Sequence, residues 1–249
     1  MPERKRQSSL ARPGSSAEHP SPTREVDRDE PGTRARAPTI EELRITARAV
    51  AEEVALRHRD DVDRDARWPA ETLRALADAG LMGLTVPSRH GGLGAGMAGL
   101  VAVCEELGKH CPSSALTLGM HCVASAVIAA KATADQAARY LGPIVQGRHV
   151  TTLALSEAGS GSHFYLPATS LQREGDGFVV DGRKHFVTNA SHADSYVVSV
   201  AAQEEGPGSF SYLVVDRDAP GVAVGEGWRG LGMRGNDSRA VSLDNVRVP

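Results

Sequence analysis

The hydrophobic pattern of this 249-residue chain changes its period near Val150, and this change limits the possible folds more than any other feature. Before it, apolar residues recur every three or four positions, the spacing of helices that bury one face. After it, β-branched and aromatic residues alternate with polar ones in short runs between turn signals, which is typical of half-buried strands. The pattern predicts an α+β multidomain protein, with an all-α domain followed by a β-barrel-like domain.

Three segments are expected along the chain. Residues 1–38 contain much Pro, Arg, Ser, Glu and Asp and almost no large apolar side chain, so we predict a disordered tail. Residues 39–149 are expected to form the helical domain and residues 150–249 the β domain. The first predicted helix begins at Thr39, which has capping-box spacing with Glu42. Four further helices are predicted at about 69–80, 97–108, 113–131 and 134–141. The predicted strands lie at about 151–156, 168–173, 177–181, 184–188, 195–201, 210–215 and 239–248.

Composition excludes several classes of protein. A net charge of −3 argues against a nucleic-acid-binding surface, which needs a concentrated positive field. No run of 18 apolar residues and no hydrophobic signal core is present, so we expect no membrane span and a cytoplasmic location. Cys104, Cys111 and Cys122 lack metal-ligand spacing and are expected to be reduced core thiols; no metal site is expected.

Two short motifs carry the chemistry. The first is Ser-Glu-Ala-Gly-Ser-Gly-Ser at 156–162, and the second is Phe-Val-Thr-Asn at 186–189. Small residues and hydroxyl groups let a backbone approach a flat, polar-edged ligand, and an aromatic ring beside a β-branched residue can cover its face. We therefore interpret the two motifs as opposite rims of one cofactor site.

These motifs and their flanks, 152–162 and 182–189, resemble the acyl-CoA dehydrogenase family, whose equivalent segments run roughly (L/V)(T/S)EPGxGSD and GxKxW(I/V)TNG. The segments at 80–94 and 232–249 also fit the family pattern, so the resemblance covers about residues 39–249. The chain departs from the pattern at Ala158, His163 and Ala190, where the family usually has Pro, Asp and Gly. In place of the usual Trp it has Phe186.

The resemblance implies an FAD site on the β domain. It assigns cofactor contact to Leu153, Leu155, Ser156, Gly161, Ser162, Phe186, Val187 and Thr188. It also assigns substrate contact to Ser162. His121 is a second candidate substrate contact, because it lies in the buried predicted helix at 113–131 and could line the acyl pocket. The alternative is that His121 is a core histidine whose hydrogen bonds are satisfied. The resemblance implies that the Glu157 carboxylate is purely structural.

The activity that the resemblance implies is oxidation of a CH–CH group in an acyl thioester. In the family a carboxylate removes the α-proton while flavin takes the β-hydride, and that carboxylate belongs to a helical bundle that follows the β domain. The sequence ends at Pro249, so no catalytic residue is expected in this chain. Three interpretations remain open: the sequence is a fragment, another polypeptide completes the site, or the protein has no dehydrogenase activity.

The partners implied are an acyl-CoA or acyl-carrier-protein thioester, an electron acceptor such as an electron-transfer flavoprotein, and further subunits in a homo- or hetero-oligomer. Such an enzyme would serve fatty-acid or secondary metabolism. Two alternatives stay open: a flavin-dependent monooxygenase or oxidase on the same scaffold, and a noncatalytic partner subunit.

Overall fold

The computed structural model describes residues 36–161, 163–202 and 209–249, so most of the predicted tail lies outside the described residues. Helices precede strands, as the sequence predicts. The helices are α1 (Ile40–Val50), α2 (Leu56–Arg64), α3 (Ala70–Asp78), α4 (Gly96–Gly108), α5 (Pro112–Lys131), α6 (Ala134–Gln136) and α7 (Gly142–Val145). The strands are β1 (Thr151–Ala154), β2 (Ser170–Glu174), β3 (Gly177–Val187), β4 (Ser195–Ala201), β5 (Phe210–Asp216), β6 (Val222–Gly227) and β7 (Arg239–Val248).

The predicted capping box begins α1. The Thr39 hydroxyl accepts from the Glu42 amide at 3.2 Å, and the Glu42 carboxylate accepts from the Thr39 amide at 2.6 Å. The helical path then runs further than predicted, because the π-helical stretch Ala51–Ala55 joins α1 to α2 without a break. A second π-helical stretch, Ala137–Leu141, joins α6 to α7 and carries the chain past the predicted stop at Gly142.

Helix α5 forms the centre of the helical domain. Its Leu118 and Cys122 are fully buried in one cluster with α1, α3 and α4, while Ala124 and Ile128 join a second cluster that includes Val197 of β4. This helix is long and apolar enough to cross a membrane by length and composition alone, yet 56% of its apolar window is buried inside the protein. Such burial is what a core helix requires.

The described strands form two sheets. One has the order β1-β4-β5, with β1 parallel to β4, and the other has the antiparallel order β2-β3-β7-β6. The fold class is confirmed as a helical domain followed by a β domain; within the described residues the sheets do not close into a barrel. The runs predicted at 177–181 and 184–188 are one strand, β3, because the chain continues through the turn signal Asp181-Gly182. The pairing with β7 shifts register there and again between Lys184 and Val187. Strand β6, which the sequence analysis missed, is mostly exposed and rich in glycine.

Candidate functional site

The two sequence motifs lie side by side. The backbone amide of His185, at the end of β3, donates a 2.7 Å hydrogen bond to the carbonyl oxygen of Ser156, which follows β1. This bond joins the start of the glycine-serine segment to the residue immediately before Phe186. The structure therefore brings together the two rims that the sequence motifs indicate.

Phe186 presents its ring outside the protein core. It lies in the second register shift of β3, has φ of +54°, and is 60% exposed. A positive φ is costly for an aromatic residue, by about 1 kcal/mol or more, and such strain is concentrated at functional sites. Among the described aromatic contacts, the ring forms a T-shaped pair with Trp228, with centroids 5.9 Å apart, and a tilted pair with the adjacent His185, with centroids 6.4 Å apart.

Trp228 is a site residue that the sequence analysis did not identify. It is 54% exposed in the connection between β6 and β7, where it extends the aromatic surface begun by Phe186. The signal that could have identified it is a tryptophan among glycines, at a position where packing does not demand a large ring.

Thr188 and Val187 face the protein rather than solvent. The Thr188 hydroxyl lies 3.3 Å from the Ser238 hydroxyl and the residue is 5% exposed. Val187 is 1% exposed and packs in the core of the β domain. Leu153 is half-buried and packs against the cluster between the domains. Val187 and Leu153 can therefore offer a ligand mainly their backbone groups.

The glycine-serine segment has an open surface. A Cβ built on Gly159 or Gly161 would meet no heavy atom within 4 Å, and Gly161 has φ of +52°. The segment can therefore admit the close approach of a ligand to its backbone. Ser162, predicted to contact both flavin and substrate, lies outside the described residues.

Glu157 is held by four hydrogen bonds. Its carboxylate accepts from Lys184 Nζ at 2.6 Å, from the Ala168 and Thr169 amides at 2.7 and 3.1 Å, and from the Thr169 hydroxyl at 2.7 Å. Burial acts to raise the pKa of Glu157, but these bonds outweigh it and hold the pKa below its ordinary value. A carboxylate so occupied fits the structural interpretation and leaves little capacity for proton abstraction.

Asn189 connects the motif to the helical domain. Its Nδ2 donates to the Thr117 carbonyl at 2.9 Å and its Oδ1 accepts from Trp68 Nε1 at 2.9 Å. The Trp68 indole also stacks on His192, with ring centroids 4.3 Å apart. Asn189 is fully buried with φ of +62°, a conformation that Asn tolerates better than most residues. The sequence motif contained Asn189, but its bonding partners lie too far away along the chain to be predicted.

His121 lies in the core between the domains. Its Nε2 is 3.0 Å from the Met82 carbonyl, and its Nδ1 accepts from the Thr151 amide at 3.1 Å, so the neutral ring donates through Nε2. Burial lowers its pKa to about 4. With no exposed surface and both nitrogens occupied, His121 matches the alternative of a core histidine rather than that of a substrate contact.

Two cavities adjoin these elements. One, of about 430 Å³, lies beside the aromatic surface. Its lining includes Trp228 and Ser238 and charged residues of both signs, namely Arg229, Arg234, Arg239, Glu226 and Asp237. The other, of about 710 Å³, lies between the end of α5 and β5, with Tyr140 and Tyr212 in its wall. The first is contiguous with Phe186 through Trp228 and with Thr188 through Ser238.

The three cysteines are free thiols, and burial raises the pKa of Cys104 to about 11 and that of Cys122 further. These raised pKa values leave the Cys104 and Cys122 thiols unreactive at neutral pH. Within 36–161, 163–202 and 209–249, no cluster of three or more His, Cys, Asp or Glu side chains could hold a metal ion.

Comparison with known proteins identifies both domains. Residues 37–148 match the model of the acyl-CoA dehydrogenase N-terminal domain, and residues 152–246 match that of the acyl-CoA dehydrogenase middle domain.

Individual relatives agree with these matches. Cyclohexane-1-carbonyl-CoA dehydrogenase of Geobacter metallireducens is 35% identical over 85% of this chain and 57% of its own length. The 3-(aryl)acrylate reductase of Clostridium sporogenes is 30% identical over 83% of this chain and 55% of its own. A solved FAD-dependent dehydrogenase superposes with a TM-score of 0.72 at 29% identity, over 84% of this chain and 55% of the other. The chain thus spans about half the length of these relatives, and it belongs to the acyl-CoA dehydrogenase family.

Proposed function

We propose that this chain binds FAD between its two motif segments and forms part of an oxidoreductase that acts on the CH–CH group of an acyl thioester. The observation that carries the proposal is the 2.7 Å hydrogen bond from the His185 amide to the Ser156 carbonyl, which holds the two segments together. The names of the relatives support it, since they include a dehydrogenase of an acyl-CoA and an FAD-dependent dehydrogenase.

The residues present fit a flavin. Phe186 offers an exposed aromatic ring for stacking. The Thr188 hydroxyl and the backbone groups of Leu153, Leu155 and Val187 offer hydrogen bonds to polar ring edges. Ser156 and the open backbone at Gly161 allow close approach. We assign the cofactor contacts to these residues and to Ser162.

FAD bound here would supply the acceptor for a hydride taken from the β-carbon. The chain's own residues orient the ligands and exclude water from them. The Glu157 carboxylate of the glycine-serine segment is already bonded to Lys184 and two backbone amides, so it is not free to act as a base. A dry site strengthens hydrogen bonds to charge that develops on the thioester oxygen. We propose that the group that removes the α-proton comes from outside the described residues.

The proposed partners follow from the same chemistry. They are an acyl-CoA or acyl-carrier-protein thioester as substrate, an electron-transfer flavoprotein or similar acceptor, and further subunits in an oligomer. The proposed location is the cytoplasm. We propose Ser162 as the substrate contact and a structural role for His121, which its hydrogen bonds to Met82 and Thr151 support.

A flavin titration tests the proposal. The full chain is titrated with FAD while flavin fluorescence and visible absorbance are followed, and the complex is then mixed anaerobically with a set of acyl-CoA thioesters. We expect saturable binding with a perturbed flavin spectrum and only slow bleaching by the thioesters. Absence of saturable binding would contradict the flavin site, and rapid bleaching would show that this chain itself contains the proton acceptor.

A further inference from the structure

One buried ion pair joins the two motif segments through their side chains. Lys184 Nζ lies 2.6 Å from Glu157 Oε1; the Lys184 side chain is fully buried and that of Glu157 is 8% exposed. Lys184 is on β3, two residues before Phe186, and Glu157 is in the glycine-serine segment. The pair therefore connects the same two segments as the His185 to Ser156 backbone bond.

The ammonium group is shared among three parts of the β domain. Besides Glu157, Lys184 Nζ donates to the Ser199 carbonyl at 2.6 Å and hydroxyl at 3.0 Å, and lies 3.5 Å from the Leu155 carbonyl. Strand β3, strand β4 and the segment after β1 thus meet at one nitrogen atom. All three ammonium protons can be used, as burial of a cation requires.

The carboxylate closes the loop that begins at Glu157. It bonds the amides of Ala168 and Thr169 and the Thr169 hydroxyl, so both ends of the loop are fixed to one side chain. The same carboxylate is fixed to β3 through Lys184. The path of the backbone at Ser156 and Gly161 therefore depends on Glu157.

Stability alone is a weak explanation for such a pair. Desolvation of two ions offsets most of their attraction, and neutral replacement of both partners in a buried pair is often without net cost. What a neutral pair would not reproduce is this set of directed bonds to three backbone segments. The bonds fix a position, and the position they fix is that of the flavin-facing segment.

We propose that Glu157 and Lys184 are positioning residues, which hold the Leu155–Gly161 segment against β3 in the arrangement that receives the flavin. This inference rests on the proposed function for its ligand. Its structural part, the dependence of the segment on the pair, can be measured without any flavin.

The test compares E157Q, K184M and the double variant E157Q/K184M in the full chain. Hydrogen exchange of the His185 amide reports the Ser156 contact, thermal unfolding reports stability, and FAD titration reports affinity. In the double variant, which leaves no unpaired buried charge, we expect thermal stability to recover most of what either single variant loses. We expect its His185 amide to exchange at least about tenfold faster than wild type and its FAD affinity to fall at least about tenfold.

A matched control lies in the helical domain. Glu106, 2% exposed, bonds Arg44, Arg48 and Lys109, so E106Q removes a comparable buried carboxylate far along the chain from the motifs. We expect E106Q to lower thermal stability without changing His185 exchange or FAD affinity. T169V, which removes only the 2.7 Å bond from the Thr169 hydroxyl, serves if the charge variants fail to fold, and should give a smaller change in the same direction.

Recovery of amide protection and FAD affinity along with stability in the double variant would overturn the proposal, because the pair would then act on folding alone. The same conclusion would follow if T169V or the charge variants changed these readouts no more than E106Q does. Faster His185 exchange in the double variant, with no FAD binding even by wild type, would support the structural part and contradict the flavin site itself.

Discussion

The indole Nε1 of Trp68 donates a 2.9 Å hydrogen bond to the side-chain oxygen of Asn189, across 121 positions of the chain. The other half of the same amide donates to Thr117 of α5. One side chain thus fixes the end of the Phe-Val-Thr-Asn motif to two parts of the helical domain. The position of Thr188 depends on this attachment, since it precedes Asn189 directly.

Substitution of Asn189 should destabilise the chain by an amount that depends on the replacement. N189G removes both side-chain bonds and should cost about 2 to 3 kcal/mol, because buried partners are left unsatisfied. N189A should cost about 1 kcal/mol more, because Ala also pays for φ of +62°. Urea unfolding followed by tryptophan fluorescence measures both values.

Asn245 provides the control for the backbone effect. It has φ of +50°, but its side chain is exposed and bonds only the neighbouring Asp244 among its described side-chain contacts. N245A should therefore be less stable than N245G by a similar margin, while N245G stays close to wild type. A loss in N189G no larger than that in N245G would show that the bonds to Trp68 and Thr117 contribute nothing.

Substitution of Phe186 should separate ligand binding from stability. The ring is 60% exposed, so F186A should change the free energy of unfolding by less than about 1 kcal/mol. The FAD dissociation constant should rise about tenfold, equivalent to about 1.4 kcal/mol, because a stacking surface is lost. F186W should retain the affinity. Y212A, which removes a 39%-exposed ring from β5, is the matched control and should leave FAD binding unchanged.

Acid should weaken the fold through His121. Burial lowers its pKa to about 4 in the folded chain, against about 6.5 for an unperturbed histidine, so the unfolded chain binds the proton more tightly. The stability that neutral His121 confers is complete above pH 6.5 and is lost as the pH falls toward 4. Between pH 7 and pH 5 the free energy of unfolding should drop by about 2 kcal/mol from this group.

The variant H121Q isolates that contribution. Glutamine can still donate toward Met82 and accept from Thr151, but it does not titrate. Its unfolding free energy should vary less between pH 7 and pH 5, with a remainder from His149 and His192, whose pKa values burial also lowers. An unchanged pH dependence in H121Q would mean that His121 is not the titrating group.

The elements set by local patterns were predictable from the sequence. The Thr39 capping box, the long buried helix α5 and the β-branched, buried strand β4 all follow from residue types and spacing over a few positions. The motif glycines and Phe186 also indicated a site, because those residue types at that spacing suit a flat ligand. Strand β6 was missed because it is exposed and lacks an alternating apolar face.

The contacts that connect distant segments were not predictable. Nothing in a local pattern pairs Asn189 with Trp68, or indicates that the lysine before Phe186 is fully buried against Glu157. Trp228 reaches Phe186 only because β6 and β3 both pair with β7. The two π-helical stretches, which carry the helical path beyond its predicted ends, have no counterpart in the apolar spacing used for the predictions.

The most direct measurement of the central claim is amide NMR of the isotopically labelled full chain during titration with FAD. If FAD binds between the two motif segments, saturable shifts will be concentrated at 153–161 and 185–188, with smaller shifts around Trp228 and none along the exposed face of α1. Saturable shifts confined to residues outside these segments, or no shifts up to millimolar FAD, would contradict this claim.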